Sequence, residues 1–207
     1  MIYRFLLFIL LGFGQTLLAQ KLVQKSVVAP HISKIAIDAS ACFEVHLKSA
    51  PQNEVEVYAK IDGEYSPDLV ATIAKSGTTL FVNAGFSPTF IDPNDKLSAH
   101  KVVSISLTIL VPNSIEIAVD GTSANVMASG SYRDLHITLN DGFCSLAEVY
   151  GKINVKTQKG TISLASDAAQ VSASSKYGKV SQDKIPIGIT QVTLRSITGN
   201  IHITKLE

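Results

Sequence analysis

The sequence contains no tryptophan, and aromatic residues make up 7% of its 207 positions. Carbohydrate-binding grooves usually present exposed aromatic faces, so this scarcity counts against a deep sugar-binding cleft. Neither sign of charge is in excess, since 18 Lys and Arg balance 17 Asp and Glu for a formal net charge of +1. This balance gives no electrostatic support for nucleic-acid or membrane-surface binding, and we predict no nucleic-acid partner.

Recognisable enzyme and metal motifs are absent as well. The five histidines show no short metal-binding spacing among themselves. No G-x-S-x-G motif is present to hold a serine nucleophile. The outward strand positions form no acidic row of the kind that polysaccharide-cleaving enzymes use. We therefore predict a non-enzyme with no catalytic residues, no metal and no cofactor.

Cysteine is scarce, with two residues at Cys42 and Cys144. In an oxidising compartment such a pair can form a disulfide. The apolar alternation puts Cys144 in phase with Leu146, as a small buried hydrophobe. Cys42 precedes Phe43 and the strand after it, and alternation puts it on the opposite face. The sequence therefore favours two unpaired thiols.

The first residues have the pattern of a secretory signal peptide. Arg4 precedes an apolar run from Phe5 to Phe13, and the small residue Ala19 follows. The run is shorter than the roughly 18 residues that span a bilayer. We predict a signal peptide at residues 1–19, a secreted, periplasmic or cell-envelope protein, and no membrane span after its removal.

The remaining chain carries the signal of β-strands. Apolar residues recur at every second position, Val, Ile and Thr are abundant, and no amphipathic helix of useful length is present. Strands are predicted at residues 32–40, 42–49, 53–61 and 100–112, with a hairpin that turns at Ser76-Gly77. The sequence predicts a single β domain over residues 20–207, irregular over 20–112 and regular over 113–207.

A repeat of about twenty residues begins near residue 113. The last inward residue before each turn and the first after it are always five apart, and successive units step by 20, 18, 18 and 21 residues. A regular period of this length is typical of stacked repeats. The pairs are Val119/Ala124, Leu139/Cys144, Thr157/Ile162, Ser175/Val180 and Ser196/Ile201, with Gly121, Gly142, Gly160, Gly178 and Gly199 in the turns.

Two geometries fit this spacing. In a β-solenoid, each glycine takes a corner and successive units pair in parallel. In a row of tight hairpins, Asp141-Gly142 would form a type I′ turn, but the other turns have weaker dipeptides for it. We favour an all-β fold with a β-helix-like, single-stranded β-solenoid, and an antiparallel meander or sandwich is the alternative.

A family resemblance rests on the repeat itself. Residues 151–155, GKINV, are followed by KGTISL at 159–164, and GNIHI at 199–203 repeats the form. With these motifs the chain resembles the bacterial "putative adhesin" or head GIN domain families of β-strand-repeat proteins. The resemblance covers most of the chain after the signal peptide and implies a β-helical fold at the cell envelope. It brings no catalytic residues.

Residues 84–101 break the alternation and hold the candidate partner-contact loop. An irregular connection on a rigid β scaffold is a common place for binding residues. Asp92, Asn94 and Asp95 have oxygens at a calcium-like spacing, but the glycine and terminal glutamate of an EF-hand are missing. A turn-rich loop explains the same residues. The candidate contact residues are Phe86, Phe90, Asp92, Asn94 and Asp95.

Lysines cluster near adjacent predicted turns. If the units stack, these amines line one edge, where lysine prevents edge-to-edge aggregation. Binding of an anionic glycan is the sharper alternative. The cluster comprises Lys152, Lys156, Lys159, Lys176 and Lys179.

These features favour a non-enzymatic, adhesin-like protein that contacts a surface or envelope ligand, protein or glycan, over an extended surface. One alternative is a β-helix protein that binds or cleaves polysaccharide. An acidic cluster or an aromatic platform on one face would favour it. Another is a structural or envelope-stress sensing module.

Cleavage after Ala19 gives the first testable prediction. We expect the exported protein to begin at Gln20, because the small Ala19 ends the signal pattern. Mass spectrometry of the intact protein from the envelope or medium measures this N-terminus. An exported chain that still begins at Met1 would contradict the prediction.

Overall fold

The computed structural model describes residues 21–28, 31–63, 66–90 and 103–206. The predicted signal peptide lies outside these ranges. Within them the chain is all-β, with one short 3-10 helix at Ser66–Asp68. No helix among the described residues is long and apolar enough to span a membrane. The strands are β1 Lys21–Val28, β2 Lys34–Asp38, β3 Glu44–Ala50, β4 Glu54–Gly63, β5 Leu69–Ser76, β6 Thr79–Phe86, β7 Val103–Pro112, β8 Glu116–Gly121, β9 Asn125–Leu139, β10 Phe143–Thr157, β11 Thr161–Ser166, β12 Gln170–Ser175, β13 Val180–Gln182, β14 Gln191–Ser196 and β15 Ile201–Lys205.

The strands form a mixed, open sheet with two series. The first series runs β1-β4-β7-β3-β9-β10-β11-β15-β13, and the second runs β5-β6-β2-β8-β9-β10-β14-β12. Strands β9 and β10 belong to both, because their first halves pair in the first series and their second halves in the second. An all-β sheet of this kind, which does not close on itself, fits a sandwich or a solenoid.

The two long strands bend at glycines. Gly130 and Gly151 have φ of +104° and +111°, a backbone conformation that residues with a side chain rarely adopt. The β9–β10 register shifts on both sides of this bend, between Leu146/Val149 and Tyr150/Lys152. A Cβ on Gly151 would overlap the carbonyl oxygen of Tyr132. The bend therefore requires glycine, and it turns each strand from one series into the other.

Parallel pairing connects the repeat units. From β8 onward, every pair of neighbouring strands in the described residues is parallel, with repeat positions in register, such as Ile153 beside Val192 and Ile162 beside Ile201. The parallel expectation is confirmed, and the row of tight hairpins is wrong for these units. Asp141-Gly142 forms a corner between parallel strands, where Gly142 has a φ of +94°.

The alternating apolar residues form one buried cluster. Ile117, Val155 and Leu194 are fully or nearly fully buried, as the repeat predicts, and each contributes roughly 1.5–3 kcal/mol by leaving water. The predicted inward residues of β7 are also buried, at Ile105, Leu107, Ile109 and Val111. Val180 of the fourth unit is an exception, because it is 42% exposed.

The spatial order of the units differs from their order in the chain. Strand β14 lies between β10 and β12, and β15 lies between β11 and β13. The fifth unit therefore sits between the third and the fourth, and the fourth becomes the end of the stack. This position explains the exposure of Val180.

Antiparallel strands form the opposite end. Strand β4 pairs antiparallel with β1 and β7, and β5 and β6 form an antiparallel hairpin. That hairpin confirms the prediction of a turn at Ser76-Gly77, since Ser76 pairs with Thr79. Gly77 supplies the positive φ, +58°, that the tight turn needs.

A column of glycines lets the later corners stack. A Cβ on Gly160 would lie 2.6 Å from the carbonyl oxygen of Gly142, and one on Gly199 or Gly178 would overlap the corner glycine beneath it. Buried hydroxyls bind the same corners: Thr157 Oγ1 donates to Gly160 O at 2.7 Å, and Gly199 N donates to Ser196 Oγ at 2.9 Å. The recurrent glycine thus reflects close approach between corners.

Gly160→Ala tests this column. We expect the free energy of unfolding to fall by about 2 kcal/mol, because the new methyl group must displace a backbone carbonyl. Gly85→Ala is the matched control, since its nearest neighbour, Ala41 Cβ, is 3.8 Å away, and it should change stability by less than about 0.5 kcal/mol. Urea denaturation measures both. Equal effects of the two substitutions would contradict the steric account.

Candidate functional site

The described residues include only the first part of the predicted contact loop, residues 84–90. Phe86 ends β6, and its ring stacks on Phe90 with the centroids 4.3 Å apart and the planes 17° from parallel. A hydrogen bond from Phe90 N to Ser87 O, 2.9 Å, holds the turn between them. Phe86 remains 46% exposed. Asp92, Asn94 and Asp95 lie outside the described residues, so the loop stays a prediction.

A shallow groove of about 520 Å³ lies on the outer face of the first series. Its apolar floor includes Leu110, Met127 and Ala147, and His46 and Lys48 supply polar groups. In-register pairing brings them together, because His46 lies beside Met127 on one side and Thr108 on the other. The sequence analysis missed this groove because its strands are far apart in the chain.

One ion pair borders the groove. His46 Nε2 lies 3.1 Å from Glu44 Oε1, two residues away on the same strand. No hydrogen bond in the described part of the chain joins His46 to a serine, so a nucleophile-and-base arrangement is not formed there. The groove can therefore offer apolar contact and a few polar anchors.

Charged side chains on the outer face of the second series neutralise one another. Lys34 Nζ and Arg133 Nη2 lie 3.1 Å and 3.2 Å from the two oxygens of Glu116. The hydrogen bond from Lys34, helped by Arg133, lowers the pKa of the Glu116 carboxyl. Lys152 Nζ lies 3.2 Å from Asp134 on the neighbouring strand. The charges of Glu116 and Asp134 are thus compensated by cations on the same or neighbouring strands.

One carboxylate pair escaped the sequence analysis, which found no acidic row. Asp38 and Asp120 occupy adjacent in-register positions on β2 and β8, and Asn83 lies beside Asp38 on the other side. All three line a groove of about 350 Å³. The repeat comparison began near residue 113 and so did not align β2 with β8. Within the described residues, no group of three or more His, Cys, Asp or Glu side chains could hold a metal ion.

The lysine cluster is not assembled on one edge. Lys152 and Lys156 lie on β10, an interior strand with β9 on one side and β14 on the other. The prediction that they line an edge is wrong, because β10 belongs to the third unit and has another unit on each side of it. Lys176 and Lys179 do flank the turn after the edge strand β12. His136 and His202 are exposed outward residues of their strands.

Both cysteines are buried and free. Cys144 lies inward as predicted, but the outward placement of Cys42 is wrong, since it is 6% exposed. Cys42 stands in a corner before β3, where Cys42 N donates to Ala39 O at 3.0 Å, so strand alternation does not reach it. Burial, with help from Asp38, raises the pKa of Cys42 to about 12, and burial raises the pKa of Cys144 to about 12.

A scan against protein-family models finds no match to this chain, and a search of curated proteins finds none. A solved structure described as a "putative cell adhesion protein" from Clostridium sporogenes superposes with a TM-score of 0.67 over 90% of this chain and 100% of that chain, at 13% identity. At that identity the similarity is one of fold alone.

Two further solved structures have lower scores. A "putative adhesin" from Bacteroides fragilis and another from Parabacteroides merdae are 12% and 11% identical to this chain. Each comparison covers 90% of this chain and 97% of the other, with a TM-score of 0.30. These scores are too low to support an argument about fold or function.

The buried thiols yield a prediction about reactivity. At pH 8 a pKa near 12 leaves about one thiol in ten thousand ionised, so we expect negligible alkylation of the native protein by iodoacetamide and full alkylation in guanidinium. An added exposed cysteine, Ser123→Cys, should react readily and is the control. Mass spectrometry counts the labels, and rapid native labelling at Cys42 would contradict its burial.

The same shifts set a pH dependence of stability. Unfolded thiols ionise near their ordinary pKa of 9.0, whereas the folded thiols hold their protons to about pH 12. Between these values the unfolded state binds fewer protons, so the free energy of unfolding should fall as the pH rises. Urea denaturation at pH 8 and pH 10 of the protein and of Cys144→Ala isolates the contribution of Cys144.

Proposed function

We propose that this chain is a non-enzymatic, adhesin-like protein of the bacterial cell envelope, secreted or periplasmic, with a single β-solenoid domain over residues 20–207. Parallel in-register pairing from β8 onward supports the solenoid, because each turn of the chain adds one strand to each series. The GIN-domain resemblance belongs to the same proposal. The proposed export of the chain rests on the signal pattern at residues 1–19.

The groove on the outer face of the first series carries the contact function. An open groove of about 520 Å³ lined by Met127, Leu110 and small side chains suits an extended ligand laid across neighbouring strands. We propose an envelope or surface ligand, protein or glycan, as its occupant. The loop with Phe86 and Phe90 is a second proposed contact region, with Asp92, Asn94 and Asp95 as its predicted polar residues.

A polysaccharide-directed role is the second candidate. The neighbouring Asp38 and Asp120 carboxylates favour it, since glycosidases use two carboxyl groups. The phenylalanine pair favours binding more than cleavage, because aromatic faces hold sugars. Turnover of any polysaccharide in a hydrolysis screen, lost in Asp120→Asn, would replace the non-enzymatic proposal with this one.

Ala147→Arg tests the groove. Ala147 is an exposed outward residue on β10, so arginine should leave the fold intact while it fills the groove. We expect at least a tenfold loss of affinity for the ligands retained in a glycan and envelope-component binding screen. Ala118→Arg, on the outer face of the second series, is the matched control. Equal binding by both variants would overturn the assignment of the groove.

A further inference from the structure

The fourth repeat unit leaves an unpaired strand at the end of the stack. Within the described residues, β12 is hydrogen-bonded to β14 and to no second strand. Gln170 N donates to Thr190 O, and Lys176 N donates to Ser196 O. The backbone N–H and C=O groups of the even-numbered residues of β12 therefore face β14. In a parallel ladder the intervening residues point the other way. The N–H and C=O groups of Val171, Ala173 and Ser175 therefore face the open edge.

Strands β12 and β13 themselves carry none of the residues that usually protect a sheet edge. Neither β12, with the sequence QVSASS, nor β13, with VSQ, contains a charged residue or a proline. Ile187 and Ile189, which follow β13, are 87% and 96% exposed. Hydrogen bonds from Ala169 N to Pro186 O and from Gln170 Nε2 to Gly188 O tie that segment to the start of β12. The end of the stack thus combines an unpaired strand with exposed apolar side chains.

The opposite end is closed by lysines. Lys21 Nζ on β1 donates to Leu69 O at 2.7 Å, and Lys25 Nζ donates to Ala71 O at 2.9 Å, both on the edge strand β5. The lysine ammonium groups donate hydrogen bonds to the carbonyl oxygens with which an added strand would have to pair. These contacts obstruct head-to-tail pairing of another copy on β5 and favour association that stops at two copies.

We propose that two copies of this chain join through their β12 edges, antiparallel across a two-fold axis at Ala173. This axis pairs Val171 of each copy with Ser175 of the other. The backbone N–H and C=O groups of these residues, which face the open edge, then hydrogen-bond to one another. The inner faces then align, and the half-exposed Val171 and Ala173 gain cover. A two-stranded edge contact of this kind continues the second series from one copy into the other.

The same axis matches charges and apolar groups. It places the corner before β12 of one copy, which carries Asp167, beside the corner after β12 of the other, which carries Lys179, and both charges are exposed. It also brings Tyr177, 70% exposed, toward Ile187 and Ile189 of the other copy, because these isoleucines lie beside the start of β12. Each contact occurs twice. Complementarity at both ends of β12 favours a second copy over an unrelated partner.

Sedimentation equilibrium of the chain from Gln20 tests the proposal. We expect a concentration-dependent dimer, and at least a tenfold rise in the dissociation constant for Ile187→Lys combined with Ile189→Lys. Both side chains are nearly fully exposed, so the fold should not suffer. Leu22→Lys, at an exposed apolar residue of the closed end, is the matched control and should leave the dimer unchanged.

Two further variants test the geometry. Asp167→Lys and Lys179→Asp should each weaken the dimer, and the double swap should restore it. Ala173→Pro removes an edge N–H without touching the β14 ladder and should yield a folded monomer by circular dichroism. The proposal would be overturned if the chain is a monomer at 100 µM, or if Leu22→Lys weakens the dimer as much as the double isoleucine variant does. Failure of the charge swap to restore the dimer would also overturn it. So would a monomer that binds phosphatidylglycerol vesicles through Ile187 and Ile189.

Discussion

Parallel in-register pairing is the constraint on which this structure depends. It places each residue of a repeat unit directly beside its equivalent in the next, about 4.8 Å away. Each inward position must then hold a side chain that packs on the equivalent side chain of the next unit, such as Val155 beside Leu194. Corner positions must leave room for a neighbouring backbone, which Gly160 does above Gly142. Where the inward residue is a hydroxyl, as at Thr157, it binds the corner it faces.

Features set by one strand alone could be predicted from the sequence. Alternation identified Ile153, Val155 and Ile162 as buried, because the side-chain period of a strand is local. The glycine at each turn was also predictable, although its cause at Gly160 is a neighbouring corner rather than a positive φ. The candidate site was predicted poorly, because its groove joins strands that are distant in the chain.

The errors share a physical origin in the packing of units. Strand alternation says nothing of the corner that turns Cys42 inward, nor of the bend at Gly151 that carries β10 from one series to the other. Unit order is likewise set by which edges pair. For that reason Asp38 meets Asp120 although 82 positions separate them. Lys156 lies in the sheet interior because its strand, β10, has a neighbour on each side.

The inserted fifth unit bears on how the chain folds. Strands β12 and β13 precede β14 and β15 in the sequence, yet each pairs with the later strand. When the chain is synthesised from its N-terminus, the fourth unit cannot form its final pairs until the fifth unit has been made and lies between the third and the fourth. Such late, distant pairing slows folding. Loss of residues 191–205 would therefore deprive the fourth unit, as well as the third, of the strands with which it pairs.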